Sequence, residues 1–349
     1  MNANKPRNAR LDLARVVFMI FVIGIHTPLP FIDSYPTFRT YFYTILFSAD
    51  AAFFTLSGYF LLQKKFESIS DYKAYYFSRA VSILLPIFIF HFVLDVLFHR
   101  FIFQIGLKAY VKSYFLNILS NDYGGHLWFL YIYIPLVVFA PLMSKALNAL
   151  SKKDLILILC LAAGWRLLEW SFAKAGISYF FGNRLLAHWT IYFIFGHYLW
   201  RFAEELKKYR FVFYGLGIIG LVLVKLNSTI DTHPASLLDR PYYMMFIIAT
   251  FVLLLHQIPV EKLNYTPKVL TFIAKHSFTV YLTHLETIDH VTNLLNKIYN
   301  KIHYTPTGVL EGVIHLVLNI VASIVFATLF DELILFRLQN LMKKRAKKN

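Results

Sequence analysis

The stretch that decides the fold is LDLARVVFMIFVIGIHTPLPF, residues Leu11 to Phe31. Its length matches the roughly 20 apolar residues that cross about 30 Å of hydrocarbon. In lipid it must be a helix, because no other open segment satisfies its own backbone hydrogen bonds there. Arg15 and His26 lie about three helical turns apart, so both side chains project from one face, about 16 Å apart along the axis.

Ionisable side chains at membrane depth indicate a functional site. A guanidinium suits phosphate, and a histidine can exchange a proton with a hydroxyl near neutral pH. The simpler alternative is that Arg15 extends to the lipid head groups and that His26 caps the turn before Pro28 and Pro30.

Composition places the whole chain in a membrane. It has 349 residues, of which 58% are hydrophobic and 15% are charged, and its mean hydropathy is +0.55. A soluble domain could not cover so much apolar surface. We therefore predict an all-α, polytopic membrane helix bundle with ten spans. The expected spans are 11–31, 40–62, 81–103, 127–147, 154–172, 185–202, 211–226, 241–257, 269–288 and 308–335.

The net charge of +16 is distributed as expected for a membrane protein. Most Lys and Arg residues fall in alternate connecting segments that share a side with the N-terminus. By the positive-inside rule both termini are then cytoplasmic. We expect the basic tail at 337–349 to bind anionic lipid head groups, and we expect no nucleic-acid partner.

The chain is predicted to be a single integral-membrane domain over 1–349. Its non-apolar segments are too short to fold alone, and the first apolar stretch has no small-residue cleavage site, so it is expected to remain as a helix. Cys160 is the only cysteine, which excludes an intrachain disulfide and a Cys-based structural metal site. We find no internal repeat, which disfavours transporters built from duplicated halves.

A late apolar stretch presents a second polar face. Ser277, Tyr281 and His284 are spaced i, i+4 and i+7, so they share one side of a helix. His284 is expected near the outer side, at the depth of His26, where two histidines would form an acid–base site. Alternatively, Ser277 and Tyr281 are interhelical hydrogen-bonding groups.

Other candidates have weaker patterns. His126 and Trp128 begin the fourth span, where Trp128 either stacks on a sugar or anchors the interface. Gly58 is expected to allow close helix approach. His91, Asp95 and His99 could hold a metal or form a polar stripe, and we expect no metal. Further charged candidates are Asp50, Arg166, Glu169, Lys225, Asp231, His233 and Asp239.

Four motifs occur along the chain in a specific order. They are RNARLDLAR at 7–15 with His26 after ten more residues, FFTLSGY at 53–59, HLWFLY at 126–131 and HSFTVYLTH at 276–284. Together they resemble the acyltransferase-3 family of integral membrane acyltransferases, and specifically its free-standing O-acetyltransferases, such as the one acting on enterobacterial common antigen.

The resemblance implies transfer of an acetyl group from acetyl-CoA to a hydroxyl of a cell-surface or lipid-linked glycan, in a bacterial inner membrane. It implies that His26 acts as general base or carries the acyl group. The remaining implied roles are donor binding by Arg15, Arg79 and Arg10, orientation or oxyanion stabilisation by His284, Tyr281 and Ser277, and acceptor binding by His126 and Trp128.

The chain departs from the family pattern at two places. Arg79 stands where an arginine cluster begins in many members, but Ser82 and Ile83 occupy the later arginine positions. The aspartate that many members carry before the Phe-Phe pair is displaced by one position, to Asp50 from Ala51. A transporter or flippase of a lipid-linked sugar or acyl group is the alternative function, since intramembrane Arg and His also line transport pathways. An oligosaccharide polymerase is a third possible function, although such enzymes usually need a long outer loop and the outer loops here are short.

Overall fold

The computed structural model describes residues 8–96, 105–120, 125–177, 188–227, 241–262 and 266–346. This part of the chain is helical and contains no strand, which confirms the predicted all-α class. The α-helices are α1 (Ala9–His26), α2 (Pro36–Leu62), α3 (Ile69–Arg79), α4 (Leu85–Leu94), α5 (Leu107–Ser120), α6 (Trp128–Ala149), α7 (Lys152–Lys174), α8 (His188–Arg201), α9 (Ala203–Leu206), α10 (Arg210–Asn227), α11 (Pro241–Gln257), α12 (Thr266–Lys301), α13 (Val309–Phe330) and α14 (Phe336–Ala346).

Five helical segments within the described ranges are long and apolar enough to cross a membrane. Each of the ten predicted spans overlaps a helix, while the number of spans and the cytoplasmic placement of both termini remain predictions. The five long apolar segments are Pro36–Leu62, Ile69–Leu94, Trp128–Ala149, Met244–Lys262 and Val309–Ala346.

Two π-helical turns connect consecutive helices. Ala80–Leu84 joins α3 to α4, and Asp331–Leu335 joins α13 to α14.

The first helix is shorter than the predicted span. Helix α1 is capped by the Asn8 side chain, which accepts hydrogen bonds from two backbone N–H groups, and it ends at His26 rather than Phe31. The cause is Pro28, because a residue that precedes proline is driven into an extended conformation. Thr27 has φ of −74° and ψ of 124°, as this rule requires. The proline therefore places His26 in the last turn of α1.

Other helices extend beyond the predicted spans. Helix α12 continues to Lys301 through a segment predicted to be an outer loop. At 1.5 Å per residue it is about 54 Å long, which exceeds the hydrocarbon thickness, so one end projects beyond the lipid core. Helices α3 and α5 likewise occupy predicted connections. Lys, Glu, Leu and Ala are good helix formers, so a loss of hydrophobicity alone does not end a helix.

Helix α2 is central to the part of the bundle that forms the site. It packs against α1, α6 and α8, while α1 also packs against α12, and α12 packs against α13. The crossing of α2 with α8 is close, because a Cβ atom built on Gly58 would lie 1.8 Å from the Phe193 carbonyl oxygen. Gly196 approaches the Thr55 carbonyl oxygen equally closely. This confirms that Gly58 allows close helix approach.

Candidate active site

Three histidines converge from distant parts of the chain. His26 ends α1, His284 lies on α12, and His126 lies in the short 3-10 helix Gly125–Leu127 that precedes α6. The ring centroids of His26 and His284 are 5.1 Å apart, and those of His126 and His284 are 5.3 Å apart. The predicted proximity of His26 and His284 is therefore confirmed, and His126 joins them.

The three histidines line a cavity of about 740 Å³, here called the outer cavity. Its wall also contains Trp128, whose ring packs 5.1 Å from that of Trp189. Arg39 and Asp33 line the same cavity and form an ion pair at 3.2 Å. The outer cavity thus combines ring nitrogens, an aromatic wall and a polar ion pair, which are groups that contact a hydroxylated ligand.

Tyr281 connects the members of this cluster. Its hydroxyl donates a hydrogen bond to the His126 carbonyl oxygen at 2.5 Å. Its own carbonyl oxygen lies 2.7 Å from Nδ1 of His284, so Nδ1 carries the proton there. The Nε2 atom of neutral His284 is then an acceptor, and it is buried with no hydrogen-bond partner among the described residues. His284 is therefore oriented to accept a proton or a hydrogen bond from a bound molecule.

A second cavity, of about 210 Å³, lies towards the Arg15 end of α1 and is here called the inner cavity. Arg15, Arg79 and Ser277 are in its wall. The Ser277 hydroxyl donates to the Ala274 carbonyl oxygen at 2.9 Å within its own helix. Ser277 therefore shares a helix with Tyr281 and His284, as predicted, but it faces the inner cavity and lies apart from the histidine cluster.

The two cavities share part of their walls. Val22, Asp50 and Tyr281 line both of them. Asp50 therefore stands at the junction, next to Tyr281, with which it interacts electrostatically. From the sequence Asp50 is a weak candidate, because it is displaced by one position from the aspartate of the family pattern. The available signal was a carboxylate within a long apolar stretch, where a charged group is costly unless it has a function.

The arginines predicted to bind the donor have different surroundings. Arg15 forms an ion pair with the buried Asp12 at 2.8 Å, and Thr271 donates to the other Asp12 oxygen at 2.9 Å. The Arg15 guanidinium carbon lies 4.3 Å from the Phe60 ring centroid. Asp12, which sequence reasoning did not select, thus holds Arg15 at the cavity wall through an i, i+3 spacing on α1.

Arg10 lies in a different environment, because it is outside the lining of both cavities. It forms ion pairs with Glu204 at 3.5 Å and Glu261 at 3.3 Å. Glu204 also contacts Lys207 at 3.3 Å. The Lys207 ammonium and the Arg10 guanidinium lower the pKa of the Glu204 carboxyl. Arg10 therefore links connecting segments, and its predicted role in donor binding has no geometric support here.

The possible metal site on the third span cannot be completed from the described residues. His91 and Asp95 are buried, and the Tyr110 hydroxyl donates to Asp95 at 3.2 Å. Within the described ranges, no group of three His, Cys, Asp or Glu side chains is placed to hold a metal ion. Other candidates lie outside the described residues, namely His99, Asp231, His233 and Asp239 and the side chains of Arg166, Glu169 and Lys225.

A buried polar pair beyond both cavities was also not predicted. His276 Nδ1 lies 2.6 Å from an Asp331 carboxylate oxygen, and the Thr279 hydroxyl donates to the other oxygen at 2.5 Å. The pair joins α12 to the π-helical turn after α13. Buried carboxylates require such partners, so we interpret this cluster as a link between the two helices.

Comparison with known proteins supports an enzyme. Residues 8–331 match the acyltransferase-3 family, described as an acyltransferase domain. The chain is 24% identical over 255 residues to a Bacillus subtilis (strain 168) protein described as "Putative membrane-bound acyltransferase YfiQ". That similarity covers 70% of this chain and 68% of the relative. No solved structure matches the chain. The transporter alternative gains no support, and the family match, which spans nearly the whole chain, shows that this multi-pass membrane protein belongs to the acyltransferase-3 family of membrane acyltransferases.

Proposed function

We propose that the protein is an O-acetyltransferase that moves an acetyl group from acetyl-CoA to a hydroxyl of a cell-surface or lipid-linked glycan, in a bacterial inner membrane. The observation that carries this proposal is the pair of cavities that share Asp50 and Tyr281. One cavity has cationic side chains, and the other has three histidines and a Trp wall. A donor and an acceptor bound in separate cavities would meet at the common wall.

The inner cavity suits the donor. Arg15 and Arg79 lie in its wall and can form charge-assisted hydrogen bonds with phosphate oxygens. A volume of about 210 Å³ is too small for all of acetyl-CoA. The nucleotide would therefore stay at the cytoplasmic end, while the acyl-bearing arm extends between Phe53 and Phe278 towards Asp50.

The outer cavity suits the acceptor. Trp128 and Tyr43 offer aromatic surfaces for a sugar ring, and the Arg39–Asp33 pair offers donors and acceptors to its hydroxyls. His126 lines the same cavity, and its ring centroid lies 5.3 Å from that of His284. The acceptor hydroxyl would bind near His26 and His284, with its sugar ring along the Trp128 side.

The reaction replaces the C–S bond of the thioester with a C–O bond, and it moves one proton net from the acceptor hydroxyl to the CoA thiol. His26 takes the proton of the acceptor hydroxyl while the hydroxyl oxygen attacks the thioester carbon, a C–O bond forms and the C–S bond breaks. Asp50, which lines both cavities and would carry a proton before the reaction, gives it to the departing CoA thiolate. The proton held by His26 then returns to Asp50, so that one proton passes net from the acceptor hydroxyl to the CoA thiol. The Tyr281 hydroxyl, which donates to the His126 carbonyl oxygen in this structure, would have to turn towards the oxyanion to stabilise it, and a ring N–H of His126 would be a second donor. In the covalent alternative, His26 first accepts the acetyl group and then transfers it.

The test uses purified protein in nanodiscs with acetyl-labelled acetyl-CoA and a lipid-linked glycan extract. Wild type should release CoA when the extract is added, and His26→Ala should lower that release by about 100-fold or more, the range of a lost general base. His290→Ala, at an exposed position on α12, is the matched control and should retain activity.

Label trapped on wild-type protein before the acceptor is added would identify the covalent route. Full acetyl transfer by His26→Ala would show that the proposed mechanism is wrong. Wild type that binds acetyl-CoA but never releases CoA with any glycan extract would contradict the proposed acceptor class.

A further inference from the structure

A cation near the inner cavity has no assigned role. Lys64 follows α2 by two residues, and its ammonium lies 5.3 Å from the centroid of the Tyr75 ring. The Arg79 guanidinium carbon lies 5.7 Å from the same centroid. Lys64 and Arg79 therefore share one aromatic ring, and Arg79 also lines the inner cavity. We call this pair of side chains the Lys64–Arg79 cluster.

The cluster carries two positive charges without a described counter-ion. Arg15 is paired with Asp12, Arg10 with Glu204 and Glu261, and Arg39 with Asp33. No described carboxylate pairs with Lys64 or Arg79, and the Nε atom of Arg79 is buried without a hydrogen-bond partner. Two neighbouring cations repel one another, and buried polar atoms normally have partners. An anion bound between them would satisfy both requirements.

The backbone around Lys64 is fixed by a second helix. The Ser144 hydroxyl on α6 donates to the Lys64 carbonyl oxygen at 2.5 Å and to the Leu62 carbonyl oxygen at 2.9 Å. The Asn148 amide also donates to Leu62. The Tyr75 hydroxyl donates to the Val137 carbonyl oxygen at 2.7 Å, which fixes the shared ring to α6 as well. The Lys64 backbone and the ring that both cations contact are therefore fixed to α6 before any ligand binds.

The cluster lies where the sequence departs from its family. Ile83, at one of the two later arginine positions, is buried in the main apolar core, so this position offers no charge to a ligand. Ser82 holds the other position, and its hydroxyl is also buried. A further cation beside Arg15 and Arg79 must therefore come from a segment other than 82–83. Lys64 is such a cation, because it contacts the same Tyr75 ring as Arg79 does.

We infer that the Lys64–Arg79 cluster binds a phosphate group of the acyl-CoA donor, with Lys64 supplying a second positive charge beside that of Arg79. This inference rests on the proposed function, because it names the site where that donor is recognised. The phosphate is either the 3′-phosphate or the diphosphate of CoA.

Lys64 gives the site a pH dependence. Burial, and secondarily the charge of Arg79, lower the pKa of the Lys64 ammonium to about 8. The groups that face it are Arg79 and Tyr75, with Lys145 nearby over the Tyr72 ring. Lys64 is thus charged at pH 7 and loses its proton as the pH rises through about 8. Affinity for a phosphate ligand should fall over that interval, while a guanidinium at the same position would remain charged.

The experiment measures binding of acetyl-CoA to purified protein in nanodiscs, at pH 7 and pH 9, for wild type and three variants. Lys64→Met should weaken binding at pH 7 by about 10-fold or more, the effect of one lost hydrogen bond between charged groups. Lys65→Met removes the same charge from the exposed neighbouring position and should bind as wild type does. Lys64→Arg should bind well at both pH values, whereas wild type should bind more weakly at pH 9.

Binding of 3′-dephospho-CoA identifies the phosphate. If the Lys64→Met effect disappears with this ligand, the cluster binds the 3′-phosphate, and if it persists, the cluster binds the diphosphate. Equal affinities for Lys64→Met, Lys65→Met and wild type would overturn the inference but leave the proposed function standing. Wild type that binds no acetyl-CoA would overturn both. Lys64→Arg is a fold control, because it preserves charge and length.

Discussion

The crossing of α2 with α8 makes a sharp prediction about Gly58. A Cβ atom at this position would lie 1.8 Å from the Phe193 carbonyl oxygen and 2.7 Å from the Phe193 carbonyl carbon. Backbone atoms of a helix cannot rotate away as a side chain would. Gly58→Ala therefore requires the two helices to separate by about 1.6 Å or more to reach ordinary van der Waals contact.

The loss of stability comes from the packing contacts between α2 and α8 that this separation breaks. A gap of about 0.5–1 Å already removes a quarter to a half of the dispersion energy between facing atoms. Both helices have fully buried aromatic side chains, Phe54 on α2 and Phe193 on α8. Overpacking normally costs about 1–3 kcal/mol, and a backbone neighbour places this case at the upper end, at about 3 kcal/mol. Because α2 also contains Asp50, displacement of α2 should lower acyl transfer as well.

The measurement is thermal unfolding of purified variants in one detergent. Gly58→Ala should unfold several degrees below wild type, and Gly196→Ala should do the same, since its Cβ atom meets the Thr55 carbonyl oxygen at 1.8 Å. The double variant should cost less than the sum, because one separation relieves both clashes. Gly215→Ala is the control, since nothing lies within 4 Å of its Cβ position. Unchanged unfolding of Gly58→Ala would refute the close crossing.

Three further substitutions test the site and its support. Asp50→Asn should lower turnover by about 100-fold with little change in acetyl-CoA affinity, because it removes a proton carrier and keeps the shape; weaker donor binding with normal turnover would contradict this role. Asp331→Ala should cost about 3–5 kcal/mol in unfolding experiments, since it leaves His276 buried without its acceptor, and an unchanged melting temperature would show the pair to be unimportant. Trp128→Ala should raise the KM for the glycan with unchanged acetyl-CoA affinity, whereas a membrane anchor alone would change neither.

A good part of the site could be predicted from local patterns. The spacing of Arg15 and His26 places them on one face because helical periodicity is fixed by the backbone. The i, i+4, i+7 spacing likewise places Tyr281 and His284 together. The predicted depth of His284 and His26 in the membrane brings these two histidines together, and their ring separation of 5.1 Å confirms it. The same spacing predicts Ser277 at this site, but its turn of α12 faces the inner cavity.

Other features depended on contacts between helices. Arg10 appeared equivalent to Arg15 in sequence, yet Glu204 and Glu261 approach it from distant segments. Asp50 became a candidate for proton transfer only because the packing of α1, α2 and α12 places it on the wall of both cavities. In the sequence, Lys64 is one of several basic residues after α2. Only the tertiary structure shows that it contacts the same Tyr75 ring as Arg79.

The sequence by itself determined that the protein is a membrane helix bundle, because long apolar stretches in lipid have no other way to satisfy their backbone. Pro28 also fixes the end of α1 at His26 rather than at the predicted Phe31, since it excludes Thr27 from the helix. Only the tertiary structure decided which side chains meet across helices. The physical reason is that a helix that is apolar on every side has no distinctive face, so its sequence does not specify which neighbour each side contacts.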